Sequence, residues 1–329
     1  CQSDGSSGAH PGSPPVASTL AGGAAFLHSS STSSRLVSSG MLGDQPNDGP
    51  LPTGLRDTRR LWKGLIEEDQ GRELHVAYLT ALGLEPGSAA SDETRQGLQK
   101  ILLGRRYASR KWSELEQSHA LSTLVRMGGR SWRPVLARLY AQKRIATPVR
   151  RAAFITLGER AADYDAAGRR DLVDYWRDAE KYARDPLTRG LALIALARIV
   201  ATDLEDPEGA ELARTSQAPD ILLREARSAP TTRIGFAVLA LAIAARNATS
   251  GGDEVTRFRT EAEQVLLRGF ARSEGNAGKR APYAVGLGIL RSKAAIAPLE
   301  GVVLDSNVEP MLRGCAAVAL GQIGSARPS

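Results

Sequence analysis

The residues able to do chemistry are few. Four histidines occur, His10, His28, His75 and His119. Nucleophilic or metal chemistry would need one of them beside a cysteine, serine or carboxylate at an orderly spacing. His10 and His28 fall in a Ser/Gly/Pro-rich stretch. His75 and His119 stand on apolar helical segments, where a structural histidine is expected. There is no CxxC, no HExxH and no His-Glu dipeptide, so no metal site is expected. The two cysteines are Cys1 and Cys315, one terminal and one inside an alanine-rich segment, which gives no disulfide framework. Cys315 reads as a small buried apolar residue. Acids cluster at Asp163, Asp165, Asp171, Asp174, Asp178 and Glu180, but Arg160, Arg169, Arg170, Arg177 and Lys181 are interleaved with them. That mixture predicts a solvated, salt-bridged helix face, not a calcium or catalytic site. Gly286 and Gly288 form a GxG within a helical segment and after no strand, so no phosphate loop is read there. No catalytic residue and no cofactor is expected, and the chain reads as non-enzymatic.

The elements that carry these residues follow from composition. Hydrophobic residues make up 42% of the 329 and aromatics only 5%, so the core must be built from Leu, Ala, Val and Ile. The sequence has no apolar run of about 18 residues, the length a membrane span requires.

Self-similarity supplies the architecture. Taking Arg313 as zero, Leu320 stands at +7 and Gly321 at +8. Arg150, Leu157 and Gly158 repeat those offsets, as do Arg280, Leu287 and Gly288, and Arg189, Leu196 and Ala197. Arg233, Leu241 and Ala242 fit with a one-residue slip; His75, Leu82 and Gly83 fit with His for Arg; a weaker copy ends at Gly128. The closing residues fall at 83, 128, 158, 197, 242, 288 and 321. A bulkier amphipathic segment precedes most copies: 98–106, 134–142, 219–227, 263–272 and 296–305. The unit is helix, turn, helix. The predicted fold is all-α, an α-solenoid of about six to seven stacked helical pairs over 55–329, with a helical pair around Leu61–Leu74 capping it. Residues 159–186 and 201–218 are expected to hold insertions or irregular turns. The Leu at +7 should fill the core, the closing Gly should end its helix at positive φ, and the Arg should cover apolar surface while pairing with the next repeat.

With Arg313, Ala316, Ala319, Leu320, Gly321, Ile323 and Gly324 in that order, 311–324 resembles the second helix of the HEAT-repeat family, in the short bacterial form also seen in phycobilin lyases. The resemblance spans 72–324. It implies an α-solenoid that binds other macromolecules; it implies no activity. The di-iron hydroxylases of that family carry His-Glu pairs, which this sequence lacks.

Charge is uneven. Between Arg105 and Arg151 lie twelve basic and two acidic residues, a net +10 against +7 for the whole chain. The window also holds Tyr107, Trp112, Trp132 and Tyr140. Arg105, Arg106, Trp112, Arg130, Trp132, Arg133, Lys143 and Arg144 are therefore the candidate partner- or anion-binding residues. The alternative is that the tryptophans are core residues and some arginines structural.

Residues 1–54 are rich in Ser, Gly and Pro and read as a disordered tether. Cys1 followed by such a tether resembles a mature bacterial lipoprotein, with lipid on Cys1 as the implied anchor; a truncated sequence is the competing reading. The first expectation for function is a non-enzymatic protein–protein interaction scaffold on the cell envelope, periplasmic and lipid-anchored if Cys1 is a processed terminus and cytoplasmic otherwise. The alternative is a solenoid binding nucleic acid or another polyanion through 105–151. An acidic polymer or anionic lipid would suit an envelope location, and nucleic acid is the weaker candidate there. A lyase-like role ranks last.

Overall fold

The computed structural model describes residues 58–67, 71–84, 91–128, 145–182, 185–249 and 252–324. The chain divides into a unit of residues 1–48 and a unit of residues 49–329, and every described residue lies in the second. The tether, with Cys1, lies outside the described residues. Within them every regular element is helical.

The helices that start cleanly do so on local signals. Ser91 accepts from the Thr94 amide, Asp185 from that of Thr188 and Asn276 from that of Lys279, each capping the helix that follows. Ser113 and Glu116 cap reciprocally, each side chain taking the other's backbone N–H. Pro148, Pro186 and Pro219 sit in first turns, where a missing N–H costs nothing.

The repeat copies form one row. It runs α2 (Arg72–Leu84), α4 (Glu114–Arg126), α5 (Thr147–Glu159), α7 (Pro186–Glu205), α10 (Thr231–Asn247), α12 (Ala277–Leu290) and α14 (Pro310–Gly324), numbered among the described helices. Each packs on the next in chain order. A second row supplies partners: α1 (Thr58–Glu67) against α2, α3 (Asp92–Leu102) against α4, α6 (Ala166–Tyr182) against α7, α9 (Ala218–Ser228) against α10, α11 (Asp253–Arg272) against α12, and α13 (Ile296–Leu304) against α14. An extra helix, α8 (Pro207–Ser216), lies on α6 and α7. The α-solenoid of stacked helical pairs predicted from the repeat is what these contacts build. Leu82, Leu121, Leu124, Leu196, Leu241 and Leu287 are fully buried in it. Leu157 is buried as well. Each such side chain contributes about 1.5–3 kcal/mol.

The closing glycines work differently from the expectation. Gly83, Gly158, Gly288 and Gly321 lie inside their helices, and among the seven closing positions only Gly128 has positive φ, 77°. The inner ones serve close approach. A Cβ on Gly158 would stand 2.8 Å from the Ala195 Cα of α7, and one on Gly288 would stand 2.6 Å from the Ala319 Cα of α14. Gly83 meets the Thr123 Cα of α4 in the same way, at 3.3 Å. Position +8 of one helix therefore receives position +6 of the next. By that register Val125, not Gly128, is the α4 equivalent. Gly128 ends the helix, and no atom lies within 4 Å of where its Cβ would be.

Other expectations shift too. The segment 98–106 is helical only to Leu102. Residues 159–186 hold a regular helix, α6, because Leu172, Val173 and Trp176 give it a buried face. In α14 only Leu312, Ala316, Ala319 and Ile323 are buried; Cys315 and Leu320 are half-buried, and Gly321 is exposed, because no described helix covers that side. Burial still pushes the Cys315 thiol upward.

The arginines at the zero position are half-buried, with the Nε of Arg150, Arg280 and Arg313 enclosed. Arg150 donates to the Ile145 carbonyl at 3.5 Å, and Arg280 lies over the Phe270 ring of α11, 4.3 Å from its centroid. Arg189 is half-buried likewise. The tie between pairs comes from the neighbour, Arg151, which donates to Thr188 Oγ1 at 3.2 Å and to Asp185 at 3.0 Å, fixing α5 to the cap of α7. Burial would raise the Asp185 carboxyl, but hydrogen bonds from Thr188 and Arg151 outweigh it and hold the group below its ordinary range.

The mixed charge stretch is in part the solvated, salt-bridged face expected, with Arg160 on Asp163 and Arg177 Nη1 3.7 Å from Asp174 Oδ1, but it departs from that at Arg169. Asp171 and Asp174 are exposed, but Arg169 is buried and donates to Asp203, Asp206 and the Tyr164 carbonyl. Asp203 is 0% exposed and its Oδ2 has no hydrogen-bond partner among the described residues. Burial pushes its pKa up to about 6 against the pull of Arg169, with Asp206 adding to the rise. The same two carboxylates hold Arg169 charged in spite of its burial. The cluster joins α6, α7 and the start of α8.

Candidate anion interface

The described part of the basic window centres on the loop from Leu103 to Ser113, between α3 and α4. Gly104 turns the chain out of α3 at φ 66°. Tyr107 and Arg110 then exchange backbone hydrogen bonds of 3.1 and 3.3 Å around Ala108 and Ser109. Both central residues have positive φ, 50° and 60°. A tight turn of this hand normally uses glycine or asparagine; other residues cost about 1–3 kcal/mol each.

What holds the turn is a buried clamp. Trp112 is 1% exposed, its indole N–H donates to the Tyr107 carbonyl at 3.1 Å, and Gln117 donates to the Trp112 carbonyl at 2.9 Å. Arg110 lies over the Trp112 ring, 3.9 Å from its centroid. Its Nη2 donates to Glu116 Oε1 at 2.5 Å and its Nη1 approaches His75 Nε2 at 2.5 Å. His75 Nδ1 stands 3.2 Å from Glu116 Oε1. Arg110 Nη2 also stands 2.7 Å from His75 Nδ1, so the guanidinium faces both ring nitrogens and donates to whichever one carries no proton. Glu116 Oε2 accepts from the Ser113 amide and hydroxyl, both at 2.7 Å. Burial would raise the Glu116 carboxyl; the Ser113 hydrogen bonds, then Arg110 and His75, more than reverse this and hold it low. Carboxylate, guanidinium and imidazole are all committed to one another, and the product is a rigid loop.

That loop displays charge. Arg105, Arg106 and Lys111 are exposed on it. The rest of the described window is spent internally: Arg110 in the clamp, Arg126 on Glu159 at 3.7 Å, Arg150 on Ile145 and Arg151 on α7. Trp112 is a correction to the expected binding set, because its indole is enclosed and cannot meet a partner. Arg130, Trp132, Arg133, Lys143 and Arg144 lie outside the described residues.

Sequence reasoning missed Arg110 and Glu116. The Ser-x-x-Glu spacing of Ser113 and Glu116 was a readable capping-box signal; nothing local marked Arg110. His119 is half-buried, its Nδ1 3.4 Å from Thr80 Oγ1, and burial followed by Arg126 lowers its pKa. Among the described residues no group of three or more His, Cys, Asp or Glu is placed to hold a metal ion, and no helix is long and apolar enough to cross a membrane.

No protein-family model matches the chain, and no curated protein matches it in sequence. Among solved structures it is similar to an engineered protein, at 18% identity over 82% of this chain and 97% of that one, with a TM-score of 0.38. It is also similar to human deoxyhypusine hydroxylase in complex with glycerol, at 16% identity over 82% of this chain and 96% of that one, with a TM-score of 0.31. Scores this low carry nothing about activity.

Proposed function

We propose that the chain is a HEAT-like solenoid acting as a non-enzymatic scaffold, and that it engages an acidic protein partner through the loop 103–113. The observation that carries this is the clamp. Half-buried Arg110 and buried Glu116, His75 and Trp112 fix a strained turn whose outward residues are Arg105, Arg106 and Lys111. A pre-ordered basic loop loses little entropy on binding, so its charges favour association at low cost. Lipid on Cys1 would hold the scaffold at the cell envelope, with anionic lipid or an acidic polymer nearby.

The second reading is a polyanion such as nucleic acid on the same loop, favoured by its two adjacent arginines. One titration separates them. Poly-glutamate and duplex DNA are each titrated into the chain at rising salt, alongside a variant carrying R105E, R106E and K111E. Saturable poly-glutamate binding that weakens with salt and falls at least tenfold in the variant supports the protein-partner reading. Tighter binding of DNA, lost in the same variant, replaces it with the second reading. Binding of neither at low salt removes both.

A further inference from the structure

A second basic site lies elsewhere in the stack. Where α9 hands over to α10 and α11 hands over to α12, the chain forms a half-open cavity of about 630 Å³. Its floor is Tyr283, Ile234 and Val265. Tyr283 is fixed there: its hydroxyl donates to the Ala226 carbonyl at 2.9 Å, and a Cβ on Gly269 would stand only 2.1 Å from its ring. The Tyr283 hydroxyl is thus used up in the fold, and burial raises its pKa against the influence of Arg272.

The walls are cationic. Arg227, Arg268, Arg272 and Lys279 face the space, with Glu274 as the one carboxylate. They come from three helices, α9, α11 and α12. Arg227 pairs with Glu261 at 2.5 Å. Arg268, Arg272 and Lys279 have no ion-pair partner among the described residues; Arg268 Nε donates to the Gln264 carbonyl. Ser273 and Asn276 add neutral donors to the lining. Asn276 Oδ1 is occupied in capping α12, which leaves its amide N–H₂ free to donate. The α10 and α12 N-termini, at Thr231 and Ala277, lie beside the cavity and add positive potential.

Many arginines of this fold are consumed by carboxylates, carbonyls or aromatic rings. Here three cations from two helices converge unpaired on a space of small-molecule size. Three like charges lining one space favour the uptake of an anion there. We propose that this cavity is a binding site for a phosphomonoester group. Two guanidinium forks and an ammonium match an anion with three terminal oxygens and up to two charges better than they match a carboxylate. The group could belong to a small phosphorylated molecule or to a phosphorylated side chain; the chemistry read by the cavity is the same. The site is separate from the loop 103–113 and does not depend on the function proposed for it.

Calorimetric titration of the full chain tests this with inorganic phosphate, phenyl phosphate, a phosphoserine tripeptide and acetate. The expected result is one saturable site for the phosphate-bearing probes, with acetate at least tenfold weaker. Tighter binding of phenyl phosphate than of the tripeptide assigns a small molecule; the reverse assigns a side chain. Both Arg272 and Lys279 are exposed. R272E with K279E should therefore keep the melting temperature and lose at least tenfold in affinity, and R272Q with K279Q should show a smaller loss. The R105E, R106E and K111E variant should bind as the parent does. No saturation by any phosphate probe, equal binding of acetate, or unchanged affinity in R272E with K279E would overturn the assignment.

Discussion

At the scale of single residues, the glycines of the inner row divide into two kinds that their shared sequence position conceals. Gly158 and Gly288 sit against the backbone of the following helix, Ala195 and Ala319, with no room for a methyl group. Gly321 occupies the equivalent place with nothing within 4 Å of its missing Cβ. G158A and G288A should each lower stability by about 1–3 kcal/mol, because backbone cannot yield as a side-chain tip can. G321A should raise it by up to about 1 kcal/mol through helix propensity alone. Chemical denaturation of the three variants checks the division; equal effects would show that the contacts are not what selects glycine. The repeat offset was legible in the sequence, but a glycine chosen for positive φ and one chosen for close approach have the same letter. Only the neighbour's distance separates them.

At the scale of elements, the Arg169 cluster binds α6 to α7 and to the start of α8 by burying one cation with two carboxylates. Asp203 titrates at about 6 in the fold, above its ordinary 3.8. A raised carboxyl pKa favours the protonated native state, so its contribution is fully present below about 3.8 and is lost as pH rises through about 6. Across that interval the chain should lose up to about 3 kcal/mol relative to D203N, where no charge develops. Melting curves of both proteins between pH 4 and pH 7 read this as a widening gap. A constant gap would mean that Asp203 stays ionised throughout. Glu116 has the opposite sign: its low pKa stabilises the clamp above about 4.5, and that share is lost as pH falls through its folded value. The sequence predicted that acids and arginines near 170 would pair in solvent. It could not show that Arg169 turns inward, since its partners Asp203 and Asp206 are more than thirty positions away.

At the scale of the whole stack, each inner helix touches its neighbours in chain order, so stability should be distributed by position. Leu287 is fully buried between α12 and the helices around it. L287D places an unpaired charge there, a change of about 3–5 kcal/mol. Hydrogen exchange should accelerate first in α11 to α14 and least in α2 to α4. A uniform rise across all described helices would contradict a stack of nearest neighbours. The proposed binding loop and the proposed phosphate cavity are separated along the row by α5 and α7. Damage to one end should therefore leave binding at the other intact.

The sequence by itself determined the helical unit, the order of the described repeat helices and most of the leucines that fill them, because periodicity and offset are local and survive as pattern. The tertiary structure alone decided which arginines are spent inside and which remain outside. That choice depends on carboxylates, rings and carbonyls brought up from distant repeats, and Arg110, Arg169 and Arg272 look alike until those neighbours are in place.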